Sequence, residues 1–180
     1  MSTVAIAIAL WGLTALYDAE NQPTPNLPTS IRAALDAEFP GWRLAETSAA
    51  VQDFVERRSH GSRPNVLVGD FDGNGQFDYA LLIEHGYFDR RGKAFSHVKQ
   101  TIVFLAGENS FRRIPLDQPS PADPSVYLSL RTKGAEGFDL KANRKFTYPN
   151  DSIGYSYLEK AASGTYIYTN GAFRFVIEAD

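Results

Sequence analysis

Between Gly69 and Asp78 the chain reads GDFDGNGQFD. Carboxylates and amides packed this densely are the raw material of a cation site. Taking Asp70 as position one, side-chain oxygens fall at positions one (Asp70), three (Asp72), five (Asn74) and nine (Asp78). Gly75 stands at position six, and Gln76 at position seven offers its backbone carbonyl. Ligands on alternate residues of a tightly curled chain point to the inside of the curl, and a glycine at six permits the φ > 0 bend that closes it. Three carboxylates in nine residues repel one another without a cation. Calcium, which takes six to eight hard oxygens at about 2.3–2.6 Å, suits this donor set. Magnesium suits it less, because its rigid octahedron dehydrates reluctantly. The expected metal ligands are Asp70, Asp72, Asn74, Gln76 and Asp78, with Ca2+ as the ion. The plain alternative is an acidic Gly/Asn-rich hairpin turn that holds no metal.

The ligand order matches the first part of an EF-hand loop, but position twelve, where a bidentate Glu belongs, is Leu81. The flanks, NVLV before and YALLI after, read as strands rather than helices. The segment DFDGNGQFDYALLI resembles the calcium loops of FG-GAP and VCBS-type repeats, in which Asp, Asx and Gly are followed by an Asp just before an apolar strand. Those families build propellers from many copies. This chain has one copy, so the resemblance implies a calcium loop and not a propeller. More loosely, the chain resembles a group of uncharacterised bacterial exported proteins with an FPGW-like helix end and an ending like TNGAFRFVIEAD, a likeness that implies no activity. Without the bidentate Glu, affinity is expected on the order of 10⁻⁴–10⁻³ M, as in extracellular modules. Such a site fills outside the cytosol, and the ion's expected role is structural.

Other chemistry-bearing residues are sparser. The three histidines are His60, His85 and His97. An antiparallel pairing with its turn near Arg90–Gly92 puts His85 and His97 roughly opposite, a geometry open to zinc or pH sensing; surface histidines are the commoner outcome. Tyr155 and Tyr157, Tyr166 and Tyr168, and Phe173 and Phe175 alternate, so each pair shares a strand face. An exposed row would stack on sugars or a partner, whereas the ordinary expectation is packing against a helix. Asn150-Asp151-Ser152 matches a glycosylation sequon and also reads as a turn. Nucleophile elbows, phosphate loops and HExxH are absent.

The elements that must position the loop follow from periodicity. Thr29 or Ser30 can cap a helix through about Glu38, with Ile31, Ala34, Leu35 and Phe39 at helical spacing, and Pro40-Gly41 ends it. Trp42 is expected to pack on the sheet. Ala49 to Arg58 reads as a second short helix. Strands are expected over Val66–Phe71, Tyr79–His85, Val98–Ala106, Phe111–Pro115, Val126–Arg131, Phe138–Lys141, Ile153–Leu158, Thr165–Tyr168 and Phe173–Ile177. Asn170-Gly171 marks a two-residue hairpin turn between the last two. Helices first and strands afterwards predict an α+β fold, with an N-terminal helix or two packed on a mainly antiparallel sheet.

The bulk numbers set the frame. One domain is expected from 180 residues, and 43% hydrophobic with 22% charged residues is too apolar for disorder. A net charge of −3 and small, scattered basic groups such as Arg57 with Arg58 give nothing to track nucleic acid. With no cysteine, disulfides, thiolate nucleophiles and Cys-ligated zinc are excluded. Val4 to Tyr17 is an uncharged apolar run, short of the roughly 20 residues that span a bilayer. It fits the core of a secretory signal, although no Lys or Arg precedes it and Tyr17 spoils the cleavage site. Residues 1–20 are therefore expected to be a signal or tethering segment, 21–28 a Pro-rich linker, and 29–180 the domain. The reading is an exported (periplasmic or extracellular) calcium-binding module, non-catalytic, with a protein or cell-wall polymer as partner and no stable membrane span. A calcium-dependent hydrolase and an envelope inhibitor are the alternatives.

Overall fold

Pro28 occupies the position before the first helix, where its carbonyl accepts the Arg32 N–H at 3.1 Å. The helix α1 (Thr29–Glu38) therefore starts at Thr29 without the side-chain cap expected from Thr29 or Ser30. It ends as foreseen, with Gly41 in the left-handed region at φ 73°. These statements come from a computed structural model that describes residues 26–58, 62–88, 94–158 and 160–178. The 1–20 segment, most of the 21–28 linker, His60 and the turn at Arg90–Gly92 lie outside the described residues. Among the described residues no helix is long and apolar enough to cross a membrane.

After α1 come β1 (Arg43–Leu44), α2 (Ala49–Arg58), β2 (Val66–Gly69), β3 (Asp78–Phe88), β4 (Ala94–Ala106), β5 (Phe111–Pro115) and β6 (Ser120–Pro121). Then follow β7 (Val126–Arg131), β8 (Glu136–Asp139), β9 (Arg144–Thr147), β10 (Ser152–Tyr157), β11 (Lys160–Thr169) and β12 (Ala172–Glu178). The α+β class holds in outline, but the strands form two antiparallel sheets instead of one. The first runs β1-β3-β4-β5, with β2 also on β3 and β6 on β4; the second runs β7-β10-β11-β12-β8-β9. Three short strands, β1, β6 and β9, have no counterpart in the sequence reading, and β8 starts two residues early. In α2 the Ser48 hydroxyl accepts the Val51 N–H, and Arg57 and Arg58 oppose the negative end of the helix dipole.

Alternation decides the layers. On β3 and β4, Ala80, Leu82, Val103 and Leu105 face the second sheet and share a buried cluster with Val126, Leu128 and Ile153. The opposite face (Leu81, Ile83, Ile102, Phe104) shares a cluster with Ile31, Leu35 and Phe39 of α1 and with Leu27 just before it. Trp42 is partly buried there, its indole N–H donating to Asp36 at 2.7 Å. On the far side of the second sheet, Val51 and Val55 of α2 pack with Tyr127. Burying side chains the size of Leu35 or Leu82 stabilises by roughly 1.5–3 kcal/mol each.

The aromatic pairs resolve differently from either expectation. Tyr155, Tyr157, Tyr166, Tyr168 and Phe173 pack against the inter-sheet core, not against a helix and not in an open row. The Tyr155 and Tyr157 rings sit 5.7 Å apart edge-to-face, with the Lys99 ammonium near both. Phe175 is half exposed. Asn170 and Gly171 both have φ > 0, at 53° and 84°, as a type I′ turn demands.

Candidate metal centre

The expected loop spans residues 70–77 and joins β2 to β3, whose last pair is Gly69 with Asp78. Both flanks are strands. Gly75 has φ 83°, as its position-six role requires, and Gly73 has φ 81°.

Asp78 is fully buried and ties the start of β3 to the loop and to the end of β4. Its Oδ2 accepts the Phe71 N–H at 2.8 Å, with the Asp72 N–H at 3.4 Å, and its Oδ1 accepts the Ala106 N–H at 2.7 Å from the end of β4. Burial pushes its carboxyl up to about 6, the N–H donors of Ala106 and Phe71 work against that, and Asp72 adds repulsion. Asp70 accepts the Gly73 N–H at 2.9 Å and the Gly75 N–H at 3.1 Å, one on each oxygen. Asp72 Oδ1 accepts the Asn74 N–H at 3.1 Å.

Carboxylate oxygens of Asp70, Asp72 and Asp78 lie within 4.8 Å of one another. Oxygens sharing a calcium can be at most about 5 Å apart, twice the ligand distance, so a single centre can serve all three. Among the described residues none of the three takes part in an ion pair. The donor set suits a hard divalent cation: oxygen donors, no ion-pair partner among the described residues, and lone pairs left over after the N–H bonds. Asn74 and Gln76 take part in the turn itself. Asn74 Oδ1 accepts the Gln76 N–H at 2.7 Å, while its Nδ2 donates to the Ala106 carbonyl at 2.7 Å and to Asp72 Oδ2 at 3.3 Å. Gln76 is exposed, and its N–H serves this turn.

Sequence reasoning missed the far side of the loop. Asp151, before β10 in the second sheet, accepts the Asp70 N–H at 3.2 Å on one oxygen and the Lys133 N–H at 3.0 Å on the other. A Cβ on Gly73 would meet Asn150 Oδ1 at 2.5 Å. The sequon Asn150-Asp151-Ser152 is thus a packing element, with Ser152 fully buried. Only the Asp and Asn identities hinted at this; the contact is between residues far apart in the chain. The loop therefore ties together the β2–β3 hairpin, the end of β4 and the second sheet.

The histidine pair does not form. A bulge between His85 and Tyr87 sets His85 opposite Val98. His97, next along, therefore points to the other face and is exposed. His85 is buried beside Phe39, with Gly86 O and Gln100 Oε1 near its nitrogens. Phe71 is fully buried beneath the loop, and the cleft between α2 and the second sheet is lined by no loop residue. No family model, curated protein or solved structure matches the chain.

Proposed function

We propose that the chain is an exported, non-catalytic module in which one calcium ion has a structural role. The observation that carries this is the gathering of Asp70, Asp72 and Asp78 oxygens within 4.8 Å of one another, with no ion-pair partner among the described residues, at the junction of two sheets. Those three carboxylates would hold the ion, with Asn74 and the Gln76 carbonyl as further ligands. Bound calcium supplies positive charge to a loop that otherwise buries Asp78 at an energetic cost. Asp78 and Asp151 then pass that rigidity to β4 and to the second sheet through backbone N–H groups. Affinity on the order of 10⁻⁴–10⁻³ M matches calcium levels outside the cytosol, which agrees with export. The partner in this reading is a protein or cell-wall polymer.

Amide hydrogen exchange tests the structural role. In calcium the N–H groups of Phe71, Asp70, Ala106 and Lys133 exchange roughly tenfold or more slowly than in chelator, because local opening must release the ion. Equal exchange in both buffers at all four positions removes the ion from this role.

A further inference from the structure

The outer face of the second sheet carries a second feature, independent of the loop. Register aligns Tyr127 with Ser156, Ser163 and Glu178 across four strands, and Ser129 with Gly154 and Thr165 across three. The middle of this face is therefore built of small side chains. Above it opens a cleft of about 1060 Å³ between α2, β7 and the β8–β9 hairpin, just above the roughly 300–1,000 Å³ of small-molecule sites. Phe54, Tyr127, Leu158 and Phe138 give the walls an apolar character.

Two groups on its floor are chemically unfinished. Ser129 Oγ and Arg131 Nε are buried and have no hydrogen-bond partner among the described residues. A buried polar atom left unpaired costs free energy, so native structures seldom leave two side by side without a use. Gly154 leaves room for both, since a Cβ there would meet Ser129 Oγ at 2.4 Å and Arg131 Nε at 3.3 Å. Glu178 does not complete them. Its Oε1 accepts the Tyr148 hydroxyl and its Oε2 the Thr165 hydroxyl at 2.6 Å, leaving Arg131 Nε 3.7 Å away, an ion pair without a hydrogen bond. The lining carries three cations (Arg58, Arg131, Lys145) against two acids (Glu136, Glu178). Lys145 pairs with Glu136, and Arg58 lies over the Phe54 ring at 4.4 Å. The remaining balance is positive, and both unpaired groups can donate a hydrogen bond.

We propose that this cleft binds a small organic anion, a carboxylate or phosphate group on an apolar body, with the anionic oxygens received by Arg131 and Ser129 and the body held against the aromatic walls. Arg131 offers a planar fork suited to either oxyanion. The test uses the full chain with 2-naphthoate, 2-naphthyl phosphate and the neutral 2-naphthylmethanol, followed by saturation-transfer NMR and calorimetry. At least one anion is expected to bind tenfold or more tightly than the alcohol, and the tighter of the two identifies the oxyanion. Arg131→Gln should weaken it roughly ten- to a hundredfold, the worth of a lost charge-assisted hydrogen bond. Ser129→Ala should weaken it several-fold while melting no lower than wild type, since its hydroxyl has no partner to lose. Should Arg131→Gln fail to fold, Ser129→Ala decides alone. Binding of the alcohol as tightly as both anions, wild-type affinity in the folded variants, or no binding of either anion at about 5 mM (weaker than roughly −3 kcal/mol,) overturns the proposal.

Discussion

Asp72→Asn separates the charge of the proposed calcium loop from its shape. The amide retains an oxygen to accept the Asn74 N–H, so the turn at 3.1 Å survives. It loses the Oδ2 that accepts Asn74 Nδ2 at 3.3 Å, and it also removes the repulsion that Asp72 exerts on buried Asp78. These two effects oppose each other, so in chelator the variant should sit within about 0.5 kcal/mol of wild type. Calcium changes the comparison. With a dissociation constant of about 10⁻⁴–10⁻³ M and about 10 mM calcium, linkage adds roughly 1.4–2.7 kcal/mol to wild type. That corresponds to a melting-temperature rise of about 3–10 °C for a domain of this size. A tenfold loss of affinity in the variant cuts the gain to roughly 0.4–1.4 kcal/mol. The assay is thermal unfolding by circular dichroism in EGTA, in calcium and in magnesium. A wild-type midpoint that calcium does not raise refutes the reasoning, as does a variant that gains as much as wild type.

Two further outcomes follow from named contacts. Gly73→Ala should destabilise by about 1–3 kcal/mol in either buffer, because its Cβ strains a left-handed residue and meets Asn150 Oδ1 at 2.5 Å; pairing it with Asn150→Ala should recover part of the loss by urea titration, and no recovery rules out that contact as the cause. Asp117 has its carboxyl held above the ordinary range by burial, only partly offset by the Thr101 N–H and hydroxyl and by Lys99. A folded-state pKa above the unfolded one gives stability that is full in acid and is lost as pH rises through the folded value. Asp117→Asn, which can still pair with Thr101, should therefore flatten the decline in urea midpoint from acid toward neutral pH, and an unchanged slope argues against that role.

The elements easiest to read were those whose local chemistry and burial agree. Val126–Arg131 and Phe111–Pro115 were bounded by turn residues. Asn170-Gly171 named its turn because few residue pairs tolerate φ > 0 twice. The place of the Asp70–Asp78 loop between two strands was legible for the same reason, since its glycines permit the bend that Gly73 and Gly75 make at φ > 0. Harder cases needed information that is not local. Alternation says which residues share a face but not which sheet a strand joins, so one sheet was expected where two exist. Arg144–Thr147 is mostly exposed and polar, and it lacks the pattern that marks a half-buried strand. A one-residue bulge sent His85 and His97 to opposite faces. Asp151 and the small residues Ser129 and Gly154 look ordinary in sequence; only strand register brings the first to the loop and the other two beneath a cleft.

A calcium titration followed by ¹H–¹⁵N NMR on the full chain examines the central claim most directly. The account predicts saturable shifts of the Gly73, Gly75 and Gln76 amides, fitting one ion with a dissociation constant of about 0.1–1 mM, and loss of those shifts over the same range in Asp72→Asn. Amides of these three residues that stay unmoved by calcium, or that move equally in the variant, would contradict it.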